Sequence, residues 1–139
     1  MLPYKQLQKS VISSELLDLA QTGTDWFKYY NFDTLLVPKE ILAKDSFFTD
    51  LPPFKAAILR LAPYICYDWH VDDDRGWTIN MLLSTGKSHC LFGSKDGVAF
   101  PFIELAYEPE VYYAFNTQVH HTVLNFDTYR YLFSVQFDT

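Results

Sequence analysis

His70 and Asp72 stand two residues apart, and His121 follows about fifty residues later, with Arg130 nine positions beyond it. A histidine and a carboxylate at that spacing, joined by a distant second histidine, can assemble a facial triad of metal ligands. Such a triad leaves open positions on a non-haem Fe(II). A basic residue near the second histidine could hold the carboxylate of a co-substrate. Alternate side chains on a strand share a face, so His70 and Asp72 point the same way if one strand runs through both. Asp68 shares that face too, whereas Asp73 lies on the other. Downstream, His121, Val123 and Asn125 share one face, and His120, Thr122 and Leu124 the opposite one. Spacing alone leaves two choices open, Asp68 against Asp72 and His120 against His121. An isolated His-x-Asp pair is also what a solvated acidic turn beside a half-buried histidine looks like.

The last segment adds weight to the catalytic reading. Tyr129, Tyr131, Phe133, Val135 and Phe137 alternate with Arg130, Leu132, Ser134 and Gln136. In a small barrel flanked by helices the aromatic face packs outward, and Arg130 and Ser134 point into the lumen. A buried guanidinium requires an anionic partner. It matches a carboxylate with two parallel hydrogen bonds, and a neighbouring hydroxyl adds another. That is a seat for a dicarboxylate. His89, alone in another predicted strand, is read as non-ligating. Tyr64, Tyr67, Trp69, Trp77 and Tyr113 are each either core or site lining, since aromatic side chains dominate core packing.

The elements that must position these residues change character along the chain. Ser13 to Ala20 reads as a short helix with a Ser N-cap and acids in its first turn, ending near Gly23. Pro38 to Lys44 reads as a second, with Pro at its first position. Asp50-Leu51-Pro52-Pro53 breaks the pattern. Thereafter short strands are predicted at 56–61, 65–72, 77–83, 89–92, 98–100, 103–106, 111–115, 121–125 and 129–137. Turn signals such as Asp74-Arg75-Gly76 and Lys95-Asp96-Gly97 separate them. Many short strands at this spacing suggest a sandwich or barrel, here with helices on one face.

Composition bounds the remaining possibilities. With 139 residues, one domain spanning 1–139 is expected. Hydrophobic residues make up 49% and aromatic ones 18%, which excludes a disordered chain and favours β structure. The net charge of −6, with Lys and Arg scattered, disfavours nucleic acid as a partner. No apolar run suits a membrane span, and the first residues lack the layout of a signal peptide. Two cysteines, Cys66 and Cys90, fit a reduced, cytoplasmic setting better than a disulfide.

The set His70-x-Asp72, His121-x-Val123-x-Asn125 and Arg130 resembles the Fe(II)/2-oxoglutarate-dependent dioxygenases over roughly residues 56–137. The string from His121 to Asn125 with Arg130, and the stretch from Glu108 to Thr117, look most like the aspartyl/asparaginyl β-hydroxylase-like branch. The resemblance implies a double-stranded β-helix, a jelly-roll or cupin-like barrel, mainly β with N-terminal helices. It implies His70, Asp72 and His121 as ligands of catalytic Fe(II), and Arg130 on the far carboxylate of 2-oxoglutarate, with Ser134 and Asn80 nearby. It also implies O2 as oxidant and hydroxylation of an amino-acid side chain in a peptide or protein, a small molecule being the other kind of substrate. Two rivals stay open. One is a cupin-like metalloenzyme that gives Arg130 no role. The other is a non-enzymatic β-sandwich binding module with structural histidines.

Overall fold

The computed structural model describes residues 2–73, 75–93 and 102–138. Its strands are β1 (Tyr4–Lys9), β2 (Phe27–Tyr29), β3 (Phe32–Leu36), β4 (Phe54–Leu61), β5 (Cys66–His70), β6 (Trp77–Leu82), β7 (Ser88–Phe92), β8 (Ile103–Glu104), β9 (Val111–Asn116), β10 (His121–Asn125) and β11 (Arg130–Phe137). Helices α1 (Ser13–Thr22) and α2 (Lys39–Leu42) and a 3-10 turn at Ser46–Phe48 lie in the first half. A seven-stranded sheet runs β1-β9-β6-β11-β4-β3-β2, and a four-stranded sheet runs β5-β10-β7-β8. All the pairings are antiparallel. This is the double-stranded β-helix, a jelly-roll of two facing sheets.

The period-two alternation of β4, β6 and β11 divides the large sheet into two faces. Ile58, Ile79, Met81, Phe133 and Val135 join Leu16 and Ala20 of α1 in one buried cluster. Leu16, Ile58, Met81 and Phe133 are completely buried, and each such side chain contributes about 1.5–3 kcal/mol on leaving water. The residues between them, Leu59, Leu61, Thr78, Asn80, Leu132 and Ser134, face the small sheet and line a cavity. The predicted division of β11 is therefore correct: Tyr131, Phe133, Val135 and Phe137 pack with the helices, and Arg130 and Ser134 turn inward. Tyr129 precedes the strand and is exposed. A second cluster, of Cys90, Phe92, Tyr113 and Phe115 among others, fills the space between the sheets beside the cavity.

Several local expectations need correction. Ser13 is inside α1 and does not cap it. Ile12 holds the cap position without a side-chain bond, and its N–H donates to Ser10 Oγ at 3.0 Å. Helix α1 ends at Gly23, as expected, with Gly23 in extended backbone. Gly23 is needed for space, since a Cβ there would sit 2.6 Å from Leu35 Cδ2. Pro38 precedes α2 instead of opening it. Strand β5 ends at His70, so Asp72 lies beyond it rather than within it. Strands β1, β2 and β3 had no sequence prediction. The strand predicted at 98–100 lies outside the described residues. Both cysteines are free thiols.

Candidate metal centre

His70 ends β5 and His121 begins β10, and the two are directly paired in the ladder. Just past this pair the register shifts, between His121 and Val123. The chain leaving β5 then brings Asp72 back over the two rings. Asp72 Oδ1 lies 3.3 Å from His70 Nε2 and 3.4 Å from His121 Nε2. The three ligand atoms fall within 4.8 Å of one another, a group that could hold a metal ion. Metal–ligand bonds of roughly 2.0–2.2 Å put neighbouring ligand atoms about 3–3.4 Å apart, so the observed spacing suits a shared cation.

The imidazoles are oriented from behind. His70 Nδ1 faces the Asp68 main-chain carbonyl at 2.6 Å, and His121 Nδ1 faces that of Val119 at 2.8 Å. An Nδ1–H donating to a carbonyl leaves Nε2 as the lone-pair nitrogen, the tautomer a metal requires. With a metal bound, two nitrogen lone pairs and a carboxylate oxygen would converge on it; without one, each Nε2 lies within hydrogen-bonding distance of the carboxylate. Burial alone would raise the Asp72 carboxyl. Contacts from the His121 and His70 rings and the charge of Arg75 outweigh it and hold the carboxyl well below the usual carboxylate range. Asp72 is accordingly ionised at neutral pH.

Of the pairs left open by spacing, the structure brings Asp72 and His121 into this group. The Asp68 side chain is exposed and accepts the Trp69 N–H at 2.8 Å, so only its main-chain carbonyl serves the site. His120 supplies a carbonyl to the Gly93 N–H, and it does not line the cavity, whereas His121 does and is 5% exposed. His89 pairs with Glu104 away from the triad.

The same cavity, about 150 Å³, also reaches Arg130, Ser134 and Asn80. One water needs roughly 10–15 Å³, so there is room for a small organic acid. Arg130 is 7% exposed, and its Nε donates to Ser88 Oγ at 3.2 Å. No carboxylate among the described residues forms an ion pair with it, so among them this buried cation has no counter-charge. Ser134 and Asn80 are paired across β11 and β6, with Ser134 Oγ donating to Asn80 Oδ1 at 2.9 Å. Asn80 Nδ2 reaches the Tyr107 hydroxyl at 3.4 Å.

Tyr107 was missed in the sequence because it stands outside any alternating segment, three residues past β8. Burial, with the Cys90 thiol beside it, pushes its phenol above the ordinary value, so the hydroxyl stays a donor. Burial likewise raises the Cys90 thiol to about 11, which keeps it neutral. Of the five aromatics considered as lining, only Tyr67 does so, its ring 4.1 Å from that of His70. Tyr64 and Trp77 are exposed, and Tyr113 is core. The mouth is instead lined by Tyr29, Tyr30 and Phe32, from the unpredicted hairpin of β2 and β3.

No protein-family model matches the sequence, and no curated protein matches it. Solved structures do match in fold. A prolyl hydroxylase from Trichoplax adhaerens, in complex with a hypoxia-inducible-factor oxygen degradation domain peptide fragment, superposes with a TM-score of 0.70 at 12% identity, covering 96% of this chain and 82% of that one. A 2OG-Fe(II) oxygenase family oxidoreductase from Burkholderia pseudomallei gives 0.68 at 12% identity, over 96% and 83%. A cupin domain from Bordetella pertussis gives 0.51 at 17% identity, over 81% and 99%. What this chain shares with them is the double-stranded β-helix, the scaffold on which its two histidines, one aspartate and buried arginine are mounted.

Proposed function

We propose that this protein is an Fe(II)- and 2-oxoglutarate-dependent oxygenase that hydroxylates an amino-acid side chain in a peptide or protein. The observation that carries the reading is the sharing of one cavity by a cation-seeking triad and a buried arginine with no counter-charge among the described residues. Each half alone is ambiguous; together they ask for a divalent metal and a dicarboxylate. His70, Asp72 and His121 would hold the iron. Iron bound there supplies the O2 chemistry, in which 2-oxoglutarate becomes succinate and CO2 and one oxygen atom is placed on a substrate C–H.

The chain's own residues bind and orient. Arg130 takes the far carboxylate of 2-oxoglutarate through a two-pronged contact. Tyr107 adds a neutral hydroxyl donor on the same polar floor, and Ser134 and Asn80 complete it. Leu59, Leu61, Leu132, Phe115 and Val123 line the remaining wall and exclude water. The peptide substrate is supported by the Trichoplax neighbour, which carries a peptide in its complex. The likeness to the aspartyl/asparaginyl branch rests on the strings around His121 and Glu108 alone. A cupin-like metalloenzyme would share the triad, but it leaves Arg130 buried without purpose.

The test is an anaerobic titration with Fe(II) and then 2-oxoglutarate, followed by visible absorption. A metal-to-ligand charge-transfer band that appears only with both additions is expected. Iron binding with no response to 2-oxoglutarate would favour the cupin-like alternative, and no iron binding the binding module.

A further inference from the structure

Two of the three triad residues sit in a strand ladder, and the third does not. Strand β5 ends at His70, so Asp72 has no β-ladder partner to fix it. What does fix it is the pair Thr117-Gln118, which lies between β9 and β10 in the segment leading to His121. The Asp72 N–H donates to the Thr117 carbonyl at 3.2 Å. The two hydrogens of the Gln118 side-chain amide are directed at the main-chain carbonyls of Asp72, at 2.8 Å, and Arg75. Thr117 Oγ1 donates its one hydrogen to the Gly76 carbonyl at 2.6 Å, with the Arg75 carbonyl at 3.2 Å, and the Thr117 N–H reaches Gly76 as well. Arg75, held in this way, extends its guanidinium to Asp72 Oδ2 at 3.8 Å.

Gln118 is exposed, touches no ligand atom of the triad, and is itself braced by the Asn116 side chain, which accepts its N–H at 3.0 Å. One residue further on, the Val119 carbonyl accepts from the His121 ring. The Thr117–Val119 segment therefore sets both the carboxylate and the second imidazole. We infer that Gln118 is a positioning residue for the metal: its amide latches the segment bearing Asp72 to the segment that orients His121, and so fixes the carboxylate over the two rings. The inference rests on the ligand set proposed above. Outer groups that orient ligands typically change metal affinity by about 10–100-fold.

The experiment compares wild type, Gln118→Ala, Gln118→Glu and Asp72→Ala in anaerobic Co(II) and Fe(II) titrations, with thermal unfolding of the metal-free proteins alongside. Since Gln118 is exposed, both Gln118 variants should fold with metal-free midpoints close to that of wild type, while Asp72→Ala should fold with a lower one. Gln118→Ala is expected to bind roughly tenfold or more weakly, with a Co(II) visible spectrum displaced toward that of Asp72→Ala. Gln118→Glu separates latching from charge. An added carboxylate would tighten cation binding by Coulomb attraction alone, but it has no hydrogens to offer two carbonyls, so weaker binding is expected. Wild-type affinity and spectrum in Gln118→Ala, or tighter binding in Gln118→Glu, would overturn the latch while Asp72→Ala still loses the metal. Wild-type metal binding in Asp72→Ala would instead overturn the ligand set itself, and the latch with it.

Discussion

His70 and His121 face each other across the β5–β10 ladder, with ring centroids 4.3 Å apart. The pairing depends on register. Because side chains alternate along a strand, a slip of one residue would present His120 in place of His121 and reverse every side chain from Thr122 to Asn125.

The tandem histidines are therefore expected to behave oppositely. His121→Ala should abolish Fe(II) binding, and His120→Ala should leave it largely intact, because the role of His120 toward Gly93 is played by its main-chain carbonyl. Anaerobic metal titration of both variants decides this. Loss of metal in His120→Ala alone would mean that the ladder is displaced by one residue.

The carboxylates divide in the same way. Asp72→Ala should lose most Fe(II) affinity. Asp68→Ala should keep it, since the carbonyl that holds His70 survives the substitution. Asp72 also marks the metal-free protein's response to acid. Its carboxyl is held below its unfolded value, ordinarily about 3.9. Its stabilising contribution is therefore fully present above that pH and is lost as pH falls through the folded-state value. Unfolding midpoints measured from pH 6 downward should fall less steeply in Asp72→Asn than in wild type below about pH 4. Parallel curves would show that Asp72 gains nothing from its neighbours.

Tyr107 offers a smaller and separable effect. Tyr107→Phe removes one hydroxyl from the floor of the cavity and touches no metal ligand. A neutral hydrogen bond is worth about 0.5–1.5 kcal/mol, so 2-oxoglutarate should bind roughly two- to tenfold more weakly while metal affinity holds. Calorimetric titration of the metal-free variant with metal, and of the metal-loaded variant with 2-oxoglutarate, measures the two in turn. Unchanged 2-oxoglutarate affinity would remove Tyr107 from the site.

The parts of the fold that were legible in the sequence are those in which one face of a strand is buried. Strands β6 and β11 carry apolar alternation and β4 and β9 apolar runs, and each lies inside the large sheet with neighbours on both sides. Strands β1 and β2 are its edges and carry little signal, β2 being exposed at every position and β1 burying only Tyr4 and Leu7 in part, while β3, though inside the sheet, buries the adjacent Thr34 and Leu35 rather than alternate positions. The two-residue turn Tyr30-Asn31, between β2 and β3, lacks the glycine that usually signals a hairpin, although Tyr30 has φ of 55°. Of the site, His70, Asp72, His121 and Arg130 were readable because charged and imidazole groups stood inside apolar patterns. Tyr107 was not, since a tyrosine in an irregular segment carries no such contrast. The choice between Asp68 and Asp72 depended on where β5 ends, which three-dimensional pairing determines and spacing does not.

The affinity of 2-oxoglutarate for the metal-loaded protein, compared between wild type, Arg130→Ala and Arg130→Lys, bears most directly on the shared cavity of metal and co-substrate. Removing Arg130 would leave a desolvated carboxylate without its partner, a loss of roughly 2–5 kcal/mol. That corresponds to binding on the order of 30-fold to several-thousand-fold weaker in Arg130→Ala. Metal affinity should stay unchanged. Arg130→Lys should recover only part, because a point ammonium cannot reproduce the two-pronged contact. Equal affinity in wild type and Arg130→Ala, or a metal-loaded wild type that does not bind 2-oxoglutarate, would contradict the assignment.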